Sequence, residues 1–147
     1  MGIASQIRTH RVRAGKSASE VADRLGLNAA WYGDLEQHDD ELASTLTLFQ
    51  AMELASMLGV RLGELLSDRV LPSESISLVD LPSRINMHVA RESISIEQFE
   101  EQIGWELGDF LKSPIKAAAE LPIVFLQAIS APLGINWLSL IPNENPV

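Results

Sequence analysis

Apolar and polar positions alternate most regularly between Ser17 and Gln37. Val21, Ala22 and Leu25 recur at helical spacing and form one apolar face. Ser17 followed three residues later by Glu20 has the spacing of a capping box: a hydroxyl takes an orphan N–H, and a carboxylate reaches back to the cap. Gly26 ends this helix, because glycine takes the left-handed conformation at little steric cost. Leu27 plugs the turn, and Asn28 caps a second helix running through Trp31, Tyr32 and Leu35. Two short helices joined by a glycine turn predict a helix-turn-helix.

The flanks extend the pattern. Upstream, Ile3, Ile7 and Val12 predict a helix from about Ile3 to Arg13, surrounded by Arg8, Arg11, Arg13 and Lys16. Downstream, His38, Asp39, Asp40 and Glu41 read as an acidic loop that caps the next helix. That helix is expected to begin at Ser44 and to point Leu46, Phe49, Met52, Leu54, Ala55 and Leu58 toward a core. Gly59 stops it, and a last helical turn closes the unit near Ser67. Residues 68–83 change character: prolines and serines predict an extended connector, with the ISLV run from Ile76 pairing as a short strand.

Residues from about Ser5 to Leu66 resemble the Xre/Cro, or lambda-repressor-like, helix-turn-helix family. The resemblance is carried by Ile7, Ser17, Ala22, Leu25, Gly26, Leu27, Leu35, Glu36, Leu46, Leu54, Ala55, Leu58, Gly59, Val60, Leu65 and Leu66. It implies a five-helix domain that places the second helix of the motif in the DNA major groove. On that helix Asn28 and Gln37 are the candidates for base or phosphate contact, and Trp31 for a sugar or a thymine methyl. Arg11, Arg13 and Lys16 are the expected phosphate clamps. The chain departs from the family pattern at Ala18, where glutamine is usual, and at Asp34, where a basic residue is common.

A second copy follows. Displacing the first unit by 78 puts Ile7 on Ile85, His10 on His88, Ser17 on Ser95 and Gly26 on Gly104. Ser95 and Gln98 repeat the capping-box spacing, and Phe99 and Ile103 take the apolar positions of Val21 and Leu25. After a three-residue deletion the offset is 75, and Gly59 meets Gly134, Val60 meets Ile135, and Leu65 and Leu66 meet Leu140 and Ile141. The expected fold is therefore all-α, with two tandem five-helix lambda-repressor-like domains, the second degenerate: residues 1–67, a linker over 68–83, and residues 84–147. In the second copy Gly108 weakens the reading helix and Pro114 ends it or starts another, with Ser113 as cap. Glu106 and Asp109 there oppose phosphate. The run between Pro122 and Pro132 is apolar nearly all round, which predicts a buried helix. Phe125, Ile129 and Trp137 are accordingly the candidates for a homodimer contact.

Charge changes the picture. The chain carries a formal net charge of −9, whereas nucleic-acid-binding domains are usually basic. Residues 1–67 hold six Lys/Arg against nine Asp/Glu, and residues 68–147 hold five against eleven, so most of the acidity lies outside the first unit. Four of the first unit's six cations fall between Arg8 and Lys16. The absence of cysteine excludes disulfides and thiol catalysis and fits a cytoplasmic setting. No apolar run is long enough to span a bilayer, the start lacks a signal-peptide layout, and Gln6 breaks the myristoylation pattern. No glycine-rich phosphate loop, metal-ligand spacing or nucleophile–base set is present, so neither an enzyme nor a cofactor or metal is expected.

Three readings follow. The first is a DNA-binding transcriptional regulator whose second unit dimerises or senses a partner. The second is a helix-turn-helix-derived protein-binding module, antiactivator- or antitoxin-like, with little or no DNA binding. The third is a sensor whose apolar second unit holds a greasy effector.

Overall fold

A computed structural model describes residues 2–66 and 75–140. Among these residues the chain is all-α: the backbone forms helices and two 3-10 turns, with no strand.

The first helix, α1 (Ile3–Arg13), starts at Gly2, and its Ala4 N–H is taken by Asp39 Oδ1 at 3.0 Å. Asp39 was expected to cap the helix that follows it in the chain. Instead it caps α1 from across the fold, where its carboxylate occupies the space a Cβ on Gly2 would need.

Helix α2 (Ala18–Leu25) carries the capping box of Ser17 and Glu20 with both bonds formed, and Gly26 closes it at φ +72°. Helix α3 (Ala29–Leu35) is capped by Asn28, whose Oδ1 accepts from the Trp31 N–H at 2.8 Å. Then come α4 (Glu41–Thr45) and α5 (Leu48–Leu58), with a capping box of Thr47 and Gln50 at the start of α5. The expected start at Ser44 is thus corrected. Ser44 lies inside α4 with its hydroxyl on the Asp40 carbonyl, and Leu46 interrupts the run by going extended. Helix α6 (Leu62–Leu66) ends this half.

After the described residues resume, the expected strand at Ile76 is not formed. Ile76 donates a single bond to the Ser139 carbonyl at 2.9 Å, and Leu78–Asp80 turns into a 3-10 helix. Helix α7 (Leu81–Glu92) takes up the end of the predicted connector, with Pro82 in its first turn, where a missing N–H costs nothing.

Helix α8 (Ile96–Ile103) repeats the capping box with Ser95 and Gln98 and ends on Gly104 at φ +77°. Helix α9 (Gly108–Lys112) is a short piece, and α10 (Pro114–Glu120) starts at the proline; Ser113 stands before it but makes no side-chain cap bond. Helix α11 (Ile123–Leu133) includes Pro132 in its last turn rather than stopping before it, and the 3-10 turn Trp137–Leu140 follows.

The helices of the second half recur at the offsets of the sequence repeat: α2 and α8 have eight residues each, and α5 and α11 have eleven each. Buried positions recur with them. Ile7 and Ile85, Tyr32 and Phe110, Leu54 and Ile129, and Leu65 and Leu140 are all inside.

One apolar core runs from Ile7 to Leu140 without a break. The halves meet where α4 packs on α11 and α10 on α5. At the centre of that seam Thr47 and Pro122 form an isolated antiparallel bridge, and Ile123 N–H donates to the Leu46 carbonyl at 2.9 Å.

Candidate functional site

A groove of about 510 Å³ opens between α1, α2 and α3. Arg8, Ala18, Ser19, Ala29, Gly33 and Gln37 line its sides, while Arg11, Tyr32 and Glu36 lie deeper. The local sequence explains this shape. The box at Ser17 starts α2 and the cap at Asn28 starts α3, and first-turn residues of both helices, Ala18, Ser19 and Ala29, line the groove. Backbone N–H groups at a helix start carry partial positive charge, and here two such ends stand beside Arg8.

Beneath them lies a charge-paired lock. Arg11 Nε donates to Glu36 Oε2 at 2.6 Å, and its Nη2 donates to Oε1 at 3.0 Å. Its Nη1 reaches the Lys16 carbonyl at 2.9 Å. One side chain therefore ties α1 to the end of α3 and to the turn before α2. Hydrogen bonding to Glu36 raises the Arg11 guanidinium further above its already high value, against the effect of burial. At Glu36, burial pushes the carboxyl up, but the hydrogen bonds from Arg11, the neighbouring Tyr32 hydroxyl and the charges of Arg11 and Arg8 outweigh it and hold the group below its usual range. Burial, with the neighbouring Glu36 carboxylate, pushes the Tyr32 phenol up. The Tyr32 hydroxyl is enclosed beside this pair without a well-aligned hydrogen-bond partner.

The residues expected from sequence divide accordingly. Arg11 is corrected from phosphate clamp to positioning residue: its guanidinium is spent on Glu36 and on the Lys16 carbonyl. Arg13 is exposed and Lys16 half-buried at the α1–α2 turn. Asn28 is exposed, with its side-chain oxygen committed to the cap. Trp31 on α3 keeps 58% of its surface in solvent, and Gln37, in the turn after α3, is also exposed. Arg8 and Ser19 join the groove, although neither stood among the candidates. Arg8 was visible as part of the basic cluster, whereas nothing in the periodicity of α2 marks Ser19.

The proposed homodimer contact is corrected too. Phe125 and Ile129 are fully buried and fill the interior of their own chain, while Trp137 is half-buried against the same core. Phe125 meets Trp105 edge-on at 5.5 Å and Phe110 at 5.2 Å between ring centres.

The second half has its own opening, of about 640 Å³, between the turn after α8 and helices α9 and α10. Glu106, Asp109 and Glu120 line it with Lys112 and Lys116, so no single sign of charge prevails there. Among the described residues no cluster of His, Asp or Glu is arranged to hold a metal ion, and no helix is long and apolar enough to cross a membrane.

No family model matches the chain, and neither does any curated protein or solved structure.

Proposed function

We propose that the chain is a cytoplasmic DNA-binding transcriptional regulator, built as two tandem lambda-repressor-like helix-turn-helix units of which only the first reads DNA. The observation that supports this most is the groove in which two helix starts and Arg8 converge beside the exposed face of α3. Phosphates are attracted to helix N-termini and to arginine, and base edges are reached by the outward residues of a helix seated in the major groove. In this reading Arg8, Arg13 and Lys16 contact phosphate, Arg11 and Glu36 set the angle between α1 and α3, and Asn28, Trp31 and Gln37 face the bases or sugars. The second unit supplies packing.

Selection of bound sequences from random DNA at two salt concentrations tests the proposal. An enriched motif with salt-sensitive affinity is the expected result; absence of enrichment by folded protein would overturn it. Replacing Arg8, Arg13 and Lys16 together by alanine should weaken binding and lower the salt slope by about 3, close to one unit per lost phosphate contact.

A second reading has its own observation. Helix α3 carries no cation, and Trp31 stands exposed beside Ala29 and Ala30, a surface suited to a protein partner. Trp31→Ala that leaves selected-DNA binding intact but abolishes capture of a protein partner would favour it.

A further inference from the structure

We infer that the two halves of this chain form an internal dimer about a pseudo-two-fold axis passing between Thr47 and Pro122, and that the chain reads a single non-palindromic DNA site as a monomer. The second clause rests on the DNA-binding reading above; the first stands without it.

Thr47 and Pro122 occupy the same place in their respective halves. Each is the residue immediately before an eleven-residue helix that ends on a left-handed glycine, Gly59 or Gly134. These two residues form an antiparallel bridge with each other. A residue meets its own equivalent only where a two-fold axis passes. The contacts on either side obey the same exchange. Helix α4 ends two residues before Thr47 and α10 two residues before Pro122; α4 packs on α11 while α10 packs on α5. That reciprocity, in which patch i meets patch j and j meets i, defines an isologous interface. The side chains at the seam come in equivalent pairs that are all buried: Leu48 with Ile123, and Leu42 with Ala117.

A surface through which two separate copies would associate is therefore filled within one chain. The second unit also lacks the parts for a second reader. Where α3 has the Asn28 cap, α9 begins at Gly108 with no side-chain cap, and Glu106 and Asp109 stand exposed beside it. Two half-sites require two reading helices, and this pair offers one.

The absence of cysteine makes the seam directly testable. Because the bond from Ile123 to Leu46 flanks the bridge, Thr47 and Pro122 form a non-hydrogen-bonded pair, whose Cα atoms lie about 4.5 Å apart, within the range of a disulfide. In full-length protein carrying Thr47→Cys and Pro122→Cys, oxidation should form one bond inside a single chain. It would be seen as a faster monomer band on a non-reducing gel and as a linked peptide pair by mass spectrometry. A disulfide-linked dimer, or a folded variant that forms no bond, would overturn the internal dimer. The unaltered chain should sediment as one copy at every concentration tested, and a stable dimer would overturn the monomer. In the DNA selection, a single asymmetric motif is expected and a palindromic doubled motif would overturn the single-site reading. Absence of any motif would overturn the DNA clause while the cross-link still decided the internal dimer.

Discussion

The first half holds α3 with charge, and the second holds the equivalent helix, α9, with aromatic rings. Arg11 in the first half corresponds to Val89 in the second, Tyr32 to Phe110, and Gln50 to Phe125. The first set builds the Arg11–Glu36 pair beside the Tyr32 hydroxyl and the Thr47–Gln50 capping box. The second set builds the cluster of Trp105, Phe110 and Phe125, with His88 edge-on to Phe99 nearby. The helical frame is the same in both: a serine capping box, eight residues, a left-handed glycine. A helix corner thus tolerates either interior, as expected if a buried ion pair and well-packed apolar residues of similar volume stabilise a fold about equally. What differs is the outer surface each interior supports. The polar lock sits under a groove that keeps helix starts and cations in solvent, whereas the aromatic cluster stands beside an opening of mixed charge.

The largest expected effect separates the two interiors. Phe125→Ala should cost about 3–5 kcal/mol, because it empties the centre of the aromatic cluster. Gln50→Ala, at the equivalent place in the first half, removes half of a capping box and a long bond from Nε2 to the Leu25 carbonyl and should cost about 1 kcal/mol. Denaturant midpoints at unchanged slope measure both. Equal losses would break the comparison.

Next comes the lock. Arg11→Ala should cost about 2–3 kcal/mol by leaving Glu36 beside an emptied site. Arg11→Met combined with Glu36→Leu should recover stability to within about 1 kcal/mol of the parent. The same pair sets an acid dependence. Glu36 is held below its ordinary value of 4.5, so its contribution is fully present above that pH and is lost as pH falls through the lowered value. Urea unfolding across that range should therefore show falling stability in the parent and a flatter profile in Glu36→Gln. Glu20, lowered by its bond from the Ser17 backbone, leaves a residual slope.

The smallest effect concerns what the halves share. Ser17→Ala and Ser95→Ala each break a capping box of the same construction and should each cost about 1 kcal/mol. A cost confined to one half, read from thermal or denaturant unfolding, would show that the common frame does not carry equal weight in both.

Much of this architecture is legible in the sequence. The bounds of α1, the capping boxes at Ser17 and Ser95, and the ends at Gly26, Gly59, Gly104 and Gly134 all follow from residues within four positions of one another. The start of α5 is not legible locally, because Leu46 leaves the helix and accepts from the Ile123 N–H, a partner that no local pattern names. The site was only half legible. Arg13, Asn28, Trp31 and Gln37 are exposed and Lys16 is half-buried, while Arg11, expected as a phosphate clamp, is claimed by Glu36 from 25 residues away. Phe125 and Ile129 posed a similar difficulty, since an apolar helix has the same sequence whether it is buried by a second chain or by its own.

The sequence by itself determined the helices, their caps and turns, and the repetition of the frame, because those depend on dihedral preferences and hydrogen bonds between near neighbours. Only the tertiary structure decided that the halves share one core, that Thr47 faces Pro122, and that Arg11 is a lock rather than a clamp. Those outcomes depend on which distant surfaces exclude water together and on which charge lies nearest once they have done so.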